Sequence, residues 1–218
     1  MTQFETDIAN VKSEVISMWQ MVRAQLAKAK EALTTYNKDL AHEVIAREKR
    51  VNALELKIDR DCENVFALFC PVAIDLRFLL AVLKINNNLE RIGDIAEGIA
   101  RYIVDAHEEF NPEALERTQL LKMYDESISI LADSEVAFES ENTLLARTIF
   151  ARDGEVLDPI NREAEGNITK YIRDYPERTH EALYILSIIR KLERVGDQCK
   201  NIAEEIIFYF EAKVLKHQ

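Results

Sequence analysis

The hydrophobic positions of the chain recur at steps of three and four residues, which is the period of an amphipathic α-helix. Turn-forming residues and prolines interrupt this period and predict where one helix ends and the next begins. Only five glycines and four prolines occur among 218 residues, which favours an all-α fold over an all-β fold rich in tight turns. The predicted helices cover about 3–36, about 39 to Pro71, Pro71 to about 105, 111 to about 139, about 141–174 with weak points at Asp153-Gly154 and Asp158-Pro159, and 176 to about Val214.

A sequence repeat divides these six helices into two sets of three. The hexapeptide Leu-Glu-Arg-Ile-Gly-Asp at 89–94 returns as Leu-Glu-Arg-Val-Gly-Asp at 192–197, with a constant offset of 103 positions. We call this hexapeptide the signature. A self-similarity over half the chain is typical of a duplicated unit. The sequence therefore predicts two pseudo-symmetric three-helix bundles, of residues 1–109 and 110–218.

Each signature places a Glu and an Asp four residues apart, so that both carboxylates lie on one face of a helix. In the first half these residues are Glu90 and Asp94, and the preceding helix carries a second such pair, Glu55 and Asp59. If the two helices pack antiparallel, the four carboxylates converge. The intervening Gly93 would let a neighbouring group approach the helix closely.

The second half has fewer acids at the corresponding places. Its signature supplies Glu193 and Asp197, and the preceding helix supplies Asp158, but Arg162 stands where a second acid would be expected. Pro159 also interrupts that helix. We therefore expect the second cluster to be poorer in negative charge than the first, and we expect Arg162 to offset the charge that remains.

Two interpretations of the acids remain open at this point. A cluster of oxygen ligands suits hard cations such as magnesium, calcium or manganese, and carboxylate-rich clusters also hold iron. Alternatively, the acids pair with neighbouring basic side chains as a solvated ionic face. The candidate basic partners are Arg91, Arg194, Lys57 and Arg60.

The amino-acid composition limits which binding partners and which cellular compartment we expect for the protein. A formal net charge of −11 makes nucleic-acid binding unfavourable, because the phosphate backbone would be repelled. Three cysteines without paired spacing indicate thiols in a reducing compartment rather than disulfides. The N-terminal residues lack the pattern of a secretory signal, and the most hydrophobic run is interrupted by charges, so we expect a cytoplasmic protein.

The duplicated signature, together with Pro-Val-Ala-Ile-Asp-Leu-Arg at 71–77, resembles the PhoU family of phosphate-uptake regulators over essentially the whole chain. The resemblance implies a non-enzymatic cytoplasmic regulator. Such a protein would restrain the phosphate-starvation response by linking a phosphate ABC transporter to a membrane sensor histidine kinase. It would reach the membrane through these partners, and we expect it to form a homodimer.

The resemblance also implies metal binding through paired E(D)xxxD motifs. The metal would be an ion or cluster of iron, zinc, manganese or magnesium. From the number of acids in each half, we expect the first half to bind it more tightly than the second. The alternative function is a carboxylate-bridged metalloenzyme, either a hydrolase or an oxidase, which would need a base or histidine beside the metal. The candidate ligands are Glu55, Asp59, Glu90, Asp94, Glu193, Asp197 and Asp158.

Overall fold

The structure, a computed structural model, describes residues 2–213, and these residues form helices joined by short turns without a β-strand. The all-α prediction is therefore confirmed. The predicted end of the last helix near Val214 lies outside the described residues. The α-helices are α1 (Gln3–Thr35), α2 (Lys38–Phe69), α3 (Ala73–Asp105), α4 (Pro112–Arg117), α5 (Leu120–Glu139), α6 (Thr143–Arg152), α7 (Asp158–Asp174) and α8 (Thr179–Glu211).

The first bundle consists of three long helices, as predicted. Helix α1 ends where Tyr36 adopts the left-handed conformation, and the side chain of Asn37 caps the start of α2 by accepting hydrogen bonds from the amides of Asp39 and Leu40. Asn is favoured at this position because its side-chain oxygen satisfies helix-start amides. Pro71 then separates α2 from α3. The resulting hairpin places α2 antiparallel to α3.

The second bundle is less regular than predicted. The expected helix from 111 to 139 is divided into α4 and α5, because Gln119 adopts a left-handed conformation with φ of 54°. The expected fifth helix is divided into α6 and α7 by a π-helical turn, Asp153–Leu157. Pro159 follows directly, and proline cannot donate an intrahelical hydrogen bond. The weak point predicted at Asp153-Gly154 and Asp158-Pro159 is thus confirmed as a local widening of the helix.

The two bundles pack against each other along α3 and α8, which run antiparallel. The amide of Asn201 donates to Asn88 at 3.3 Å, while Gly98 lies against the Lys191 side chain. Asn88 and Lys191 are 103 positions apart, and so are Gly98 and Asn201. The two contacts are therefore related by a pseudo-twofold axis. Helices α1 and α5 also meet, where the buried Trp19 donates its indole N–H to Ser134 at 3.0 Å.

None of the helices in the described part of the chain has a stretch both long and apolar enough to cross a bilayer.

Candidate cation sites in the two halves

The first acidic cluster lies where α2 passes α3. The side-chain amide of Asn86 on α3 donates to the Asp59 carboxylate and to the Glu55 carbonyl oxygen, both at 2.9 Å. This contact fixes the register of the two helices. It places Glu55 and Asp59 of α2 on the same side as Glu90 and Asp94 of α3, as the sequence predicted.

The carboxylates of this cluster are close enough to disfavour one another's charge. Burial raises the pKa of Glu55 above its ordinary value, and the neighbouring Asp59 and Asp94 raise it further. Burial likewise raises the pKa of Glu90, with Asp94 and Glu55 adding to the effect. Within residues 2–213 none of these four acids forms an ion pair with a basic side chain. The cluster is therefore a negative face without a direct ion pair, and the nearby Arg91 offsets its charge only in part.

Glu48 lies beneath this face and was not among the predicted site residues. Its side chain is 5% exposed, and a Cβ added at Gly93 would lie 3.2 Å from its Oε2. One carboxylate oxygen accepts a long hydrogen bond of 3.4 Å from Gln25, and Oε1 has no partner. Burial, followed by the charge of Asp94, raises the pKa of Glu48 to about 7. Glycine in the signature thus makes room for a fifth carboxylate.

The second acidic cluster contains an ion pair at the corresponding place. Asp153, at the start of the π-helical turn, is 2% exposed and its carboxylate lies against Gly196 of the second signature. The ammonium of Lys200 lies 2.6 Å from Asp153 Oδ2 and 2.8 Å from Asp197 Oδ1. Burial alone would lower the pKa of Lys200, but these two hydrogen-bonded carboxylates hold that pKa above its ordinary value.

The basic residue beside the second cluster is therefore Lys200 and not Arg162. Arg162 is exposed on α7. The pKa of Glu193 is raised by burial and by three neighbouring acids, Asp197, Asp153 and Asp158, and Lys200 opposes that rise. Asp158 thus lies near the second signature as predicted. The error in assigning Arg162 arose because the spacing along one helix does not reveal which basic side chain the neighbouring helix presents.

The two halves carry opposite charges at the position three residues after the signature Asp. Lys200 is 103 positions from Glu97, and Glu204 is 103 positions from Arg101. Glu97 forms an ion pair with Arg101, one turn further along the same helix, with 2.6 Å between Glu97 Oε1 and Arg101 Nη2. The first half therefore has a further carboxylate, that of Glu97, at the position where the second half has the ammonium of Lys200.

The described histidines lie away from both acidic clusters. His107 and His180 line a cavity of about 260 Å³ beside Phe110 and Arg178, whereas His42 is exposed near the start of α2. His217 lies outside the described residues. A metalloenzyme would need an activating base or histidine beside its metal, and these histidines do not supply one.

A model of the PhoU domain matches residues 15–103 and 120–206, one stretch in each half of the chain. The chain belongs to the PhoU family. The PhoU homolog of Aquifex aeolicus is 32% identical over 97% of this chain and 95% of its own length. PhoU of Escherichia coli is 31% identical over 99% of this chain and 88% of its own length. The division of the chain between 109 and 110 stays a prediction.

Solved PhoU structures have the same fold as this chain. The crystal structure of PhoU from Pseudomonas aeruginosa has a TM-score of 0.91 at 27% identity, covering 97% of this chain and 100% of that one. The regulatory protein PhoU from Streptococcus pneumoniae has a TM-score of 0.88 at 27% identity, with coverages of 98% and 100%. PhoU proteins are accessory proteins of phosphate transport and not enzymes.

The donor sets of the two halves differ in how well they fit a metal. Within residues 2–213 no group of three or more acidic, cysteine or histidine side chains is already arranged to hold a metal ion. Each half has a buried carboxylate oxygen without a partner in the described part of the chain, at Glu48 and at Asp153. The first cluster fits a cation better, because it offers only oxygen ligands and none of its acids is in a direct ion pair with another described residue. The second fits it less well, because Lys200 already pairs with Asp153 and Asp197.

Proposed function

We propose that this chain is an accessory protein of a phosphate ABC transporter and restrains the phosphate-starvation response by linking the transporter to a membrane sensor histidine kinase. The observation that carries the proposal is the PhoU family match in both halves, with relatives named for the phosphate-specific transport system. On this account the protein works at the cytoplasmic face of the membrane, where its partners hold it.

An apolar corner between α2 and α3 supports a role in binding partner proteins. Leu68 is 72% exposed and Val72 is 71% exposed, and Ile74 follows at the start of α3. Large apolar side chains that are grouped on a surface commonly mark an interaction site. The corresponding corner between α7 and α8 carries Pro176, Glu177 and other polar or small exposed residues instead. The fold therefore does not by itself require an apolar corner.

The groove beside Leu68 adds negative charge to this surface. It has a volume of about 450 Å³, and its lining includes Asp7, Glu14 and Asp61, with Lys57 as the basic residue. Together with the net charge of −11, this favours a basic, amphipathic segment of a membrane-proximal partner over an anionic lipid surface or nucleic acid. Such an association weakens with salt, because charges are screened over about 8 Å at physiological ionic strength.

The regulatory role is tested in cells that lack the protein. We expect phosphate-starvation genes to stay active in rich phosphate, and the wild-type chain to silence them again. Expression that is unchanged by loss of the protein would contradict the role. The same cells serve for affinity purification, in which the transporter ATPase and the sensor kinase should co-purify with the wild-type chain.

The partner surface is tested with a matched pair of variants. The double substitution Leu68→Ser and Val72→Ser should reduce co-purification of the membrane partners by about tenfold, which corresponds to the loss of about 1.4 kcal/mol of binding free energy. The control is Leu144→Ser in the second half, where Leu144 is 75% exposed, and it should leave co-purification unchanged. Equal effects of the two changes would assign the partner surface elsewhere.

The proposal also includes a cation in the first half. Glu55, Asp59, Glu90 and Asp94 would hold it after rotation of their partly exposed side chains, and it would offset the repulsion among them. The cation is iron, manganese, magnesium or zinc, of which the all-oxygen set fits the first three better.

The proposal also includes a homodimer. Sedimentation equilibrium with and without chelator tests it, and a species of about twice 25.1 kDa should persist in both conditions.

A further inference from the structure

The signature helices of the two halves carry opposite charges three residues after the signature Asp. Glu97 follows Asp94 by three residues, and Lys200 follows Asp197 by three residues. Residues three apart on a helix lie on the same face. Both side chains therefore lie beside the signature acids, one as a carboxylate and the other as an ammonium.

Lys200 bridges the two carboxylates that a cation would otherwise have to neutralise. Its Nζ lies 2.6 Å from the buried Asp153 and 2.8 Å from the signature Asp197. Asp153 is 2% exposed, while the Lys200 side chain is 30% exposed. The ammonium thus lies between a buried carboxylate and a partly exposed one, as a small bound cation would.

The first half lacks this arrangement although its buried carboxylate occupies the corresponding place. Glu48 lies against Gly93 as Asp153 lies against Gly196, but Glu97 adds a like charge that further raises the pKa of Glu48.

The ammonium of Lys191 reaches this region from α8 and lies along Gly98, 5.7 Å from the centroid of the Tyr102 ring. It forms no direct ion pair among the described residues, but the charges of Asp94 and Glu97 oppose the lowering of its pKa by burial and by Arg194.

We propose that Lys200 is a tethered counter-ion that occupies, in the second half, the place that an external cation takes in the first half. The inference rests on the proposed function only in its claim that the first half binds a cation. It follows that the first half responds to the supply of the cation, whereas in the second half Lys200 is always present to offset part of the negative charge. One chain would then contain one responsive bundle and one fixed bundle built on the same signature.

The test exchanges the two charges in the full-length protein. Glu97→Lys places an ammonium in the first half, and Lys200→Met removes the ammonium from the second half while keeping a similar side-chain length. In chelator at pH 8, Lys200→Met should lower the melting temperature by at least ~4 °C, because it leaves a buried charge unpaired. Glu97→Lys should raise the melting temperature, because the pairing with the ionised Glu48 outweighs the loss of the exposed ion pair with Arg101. The matched control is Lys170→Met, since Lys170 is exposed on α7, and it should leave the melting temperature unchanged.

Cation binding provides the second measurement, with manganese as the probe. We expect Glu97→Lys to weaken manganese binding by about tenfold or more, and Lys200→Glu to create a second manganese site in the other half. A melting temperature that Lys200→Met leaves unchanged would overturn the inference. If wild-type protein binds no manganese but the two melting shifts appear as stated, the tethered counter-ion stands and the cation of the proposed function is wrong.

Discussion

The two halves of this molecule use the same signature but neutralise its acids differently. The first half gathers Glu55, Asp59, Glu90 and Asp94 above the buried Glu48 and pairs none of them with a basic side chain of the described residues. The second half places Lys200 between its buried carboxylate and its signature Asp. A duplicated motif can therefore keep its acids in place while the surrounding charges decide whether an external cation is needed.

The largest expected difference between the halves is in metal content. Changing Glu90 and Asp94 to Ala should lower the metal bound to protein purified without chelator by about tenfold or more, because even outer-shell changes cost metal sites that much affinity. Changing Glu193 and Asp197 to Ala should have a much smaller effect. Elemental analysis of both double variants measures this, and equal losses would remove the distinction between the halves.

The next largest effect concerns the two signature glycines. A Cβ at Gly196 would overlap the Asp153 carboxylate and lie 2.7 Å from Leu157 Cδ1, so Gly196→Ala should destabilise the protein by about 1–3 kcal/mol. A Cβ at Gly93 would lie 3.1 Å from the nearest side-chain atom, a tight contact that a shift of a few tenths of an ångström relieves, and alanine gains about 1 kcal/mol of helix propensity. Gly93→Ala should therefore change stability little. Urea unfolding of both variants gives the comparison, which fails if Gly93→Ala proves the more damaging.

The pH dependence of stability should separate the buried carboxylates. The pKa of Glu48 in the folded protein is about 7, above its ordinary value of 4.5. Its charge therefore penalises the folded state above pH 7, and the penalty disappears as the pH falls toward 4.5. In chelator, Glu48→Gln should stabilise the protein by about 1–3 kcal/mol at pH 8 and lose this advantage by pH 4.5. Unfolding experiments across this pH range measure it.

The control for Glu48→Gln is Asp153→Asn in the second half. It removes one of the two carboxylates that pair with Lys200, and although burial raises the pKa of Asp153 and offsets part of this loss, the change should destabilise the protein at pH 8 instead of stabilising it. Two variants that change stability in the same direction at pH 8 would show that the buried carboxylates are in equivalent environments.

The smallest expected effect is that of Arg162→Ala. Because Arg162 is exposed on α7 and Lys200 neutralises the second cluster, the change should alter the free energy of unfolding by less than about 0.5 kcal/mol. Lys200→Ala serves as the comparison and should cost several times more. An effect of Arg162→Ala as large as that of Lys200→Ala would restore the charge assignment made from the sequence.

The helical architecture could be predicted from the sequence because apolar periodicity over 20–30 residues leaves little ambiguity. The acids at Glu90 and Glu193 followed from the repeat in the same way. The break at Gln119 could not be predicted, because only its backbone conformation distinguishes it from an ordinary helical residue.

The counter-charges were harder to predict than the acids. Glu48 and Asp153 lie against equivalent glycines, yet they are 105 and not 103 positions apart, so the repeat offset does not pair them. Within residues 2–213, the π-helical turn that begins at Asp153 has no counterpart in the first half. A comparison of Glu97 with Lys200 at the constant offset was the one signal in the sequence that could have revealed the difference.

We propose that the first signature lies at a cation site and that the second does not. The most direct measurement is the paramagnetic broadening of backbone amide signals by substoichiometric manganese in isotope-labelled, chelator-treated protein. With only five glycines in the chain, the amide signals of Gly93 and Gly196 serve as matched reporters. We expect manganese to broaden the Gly93 signal and to leave the Gly196 signal sharp. Equal broadening of both signals, or broadening of Gly196 alone, would contradict this account.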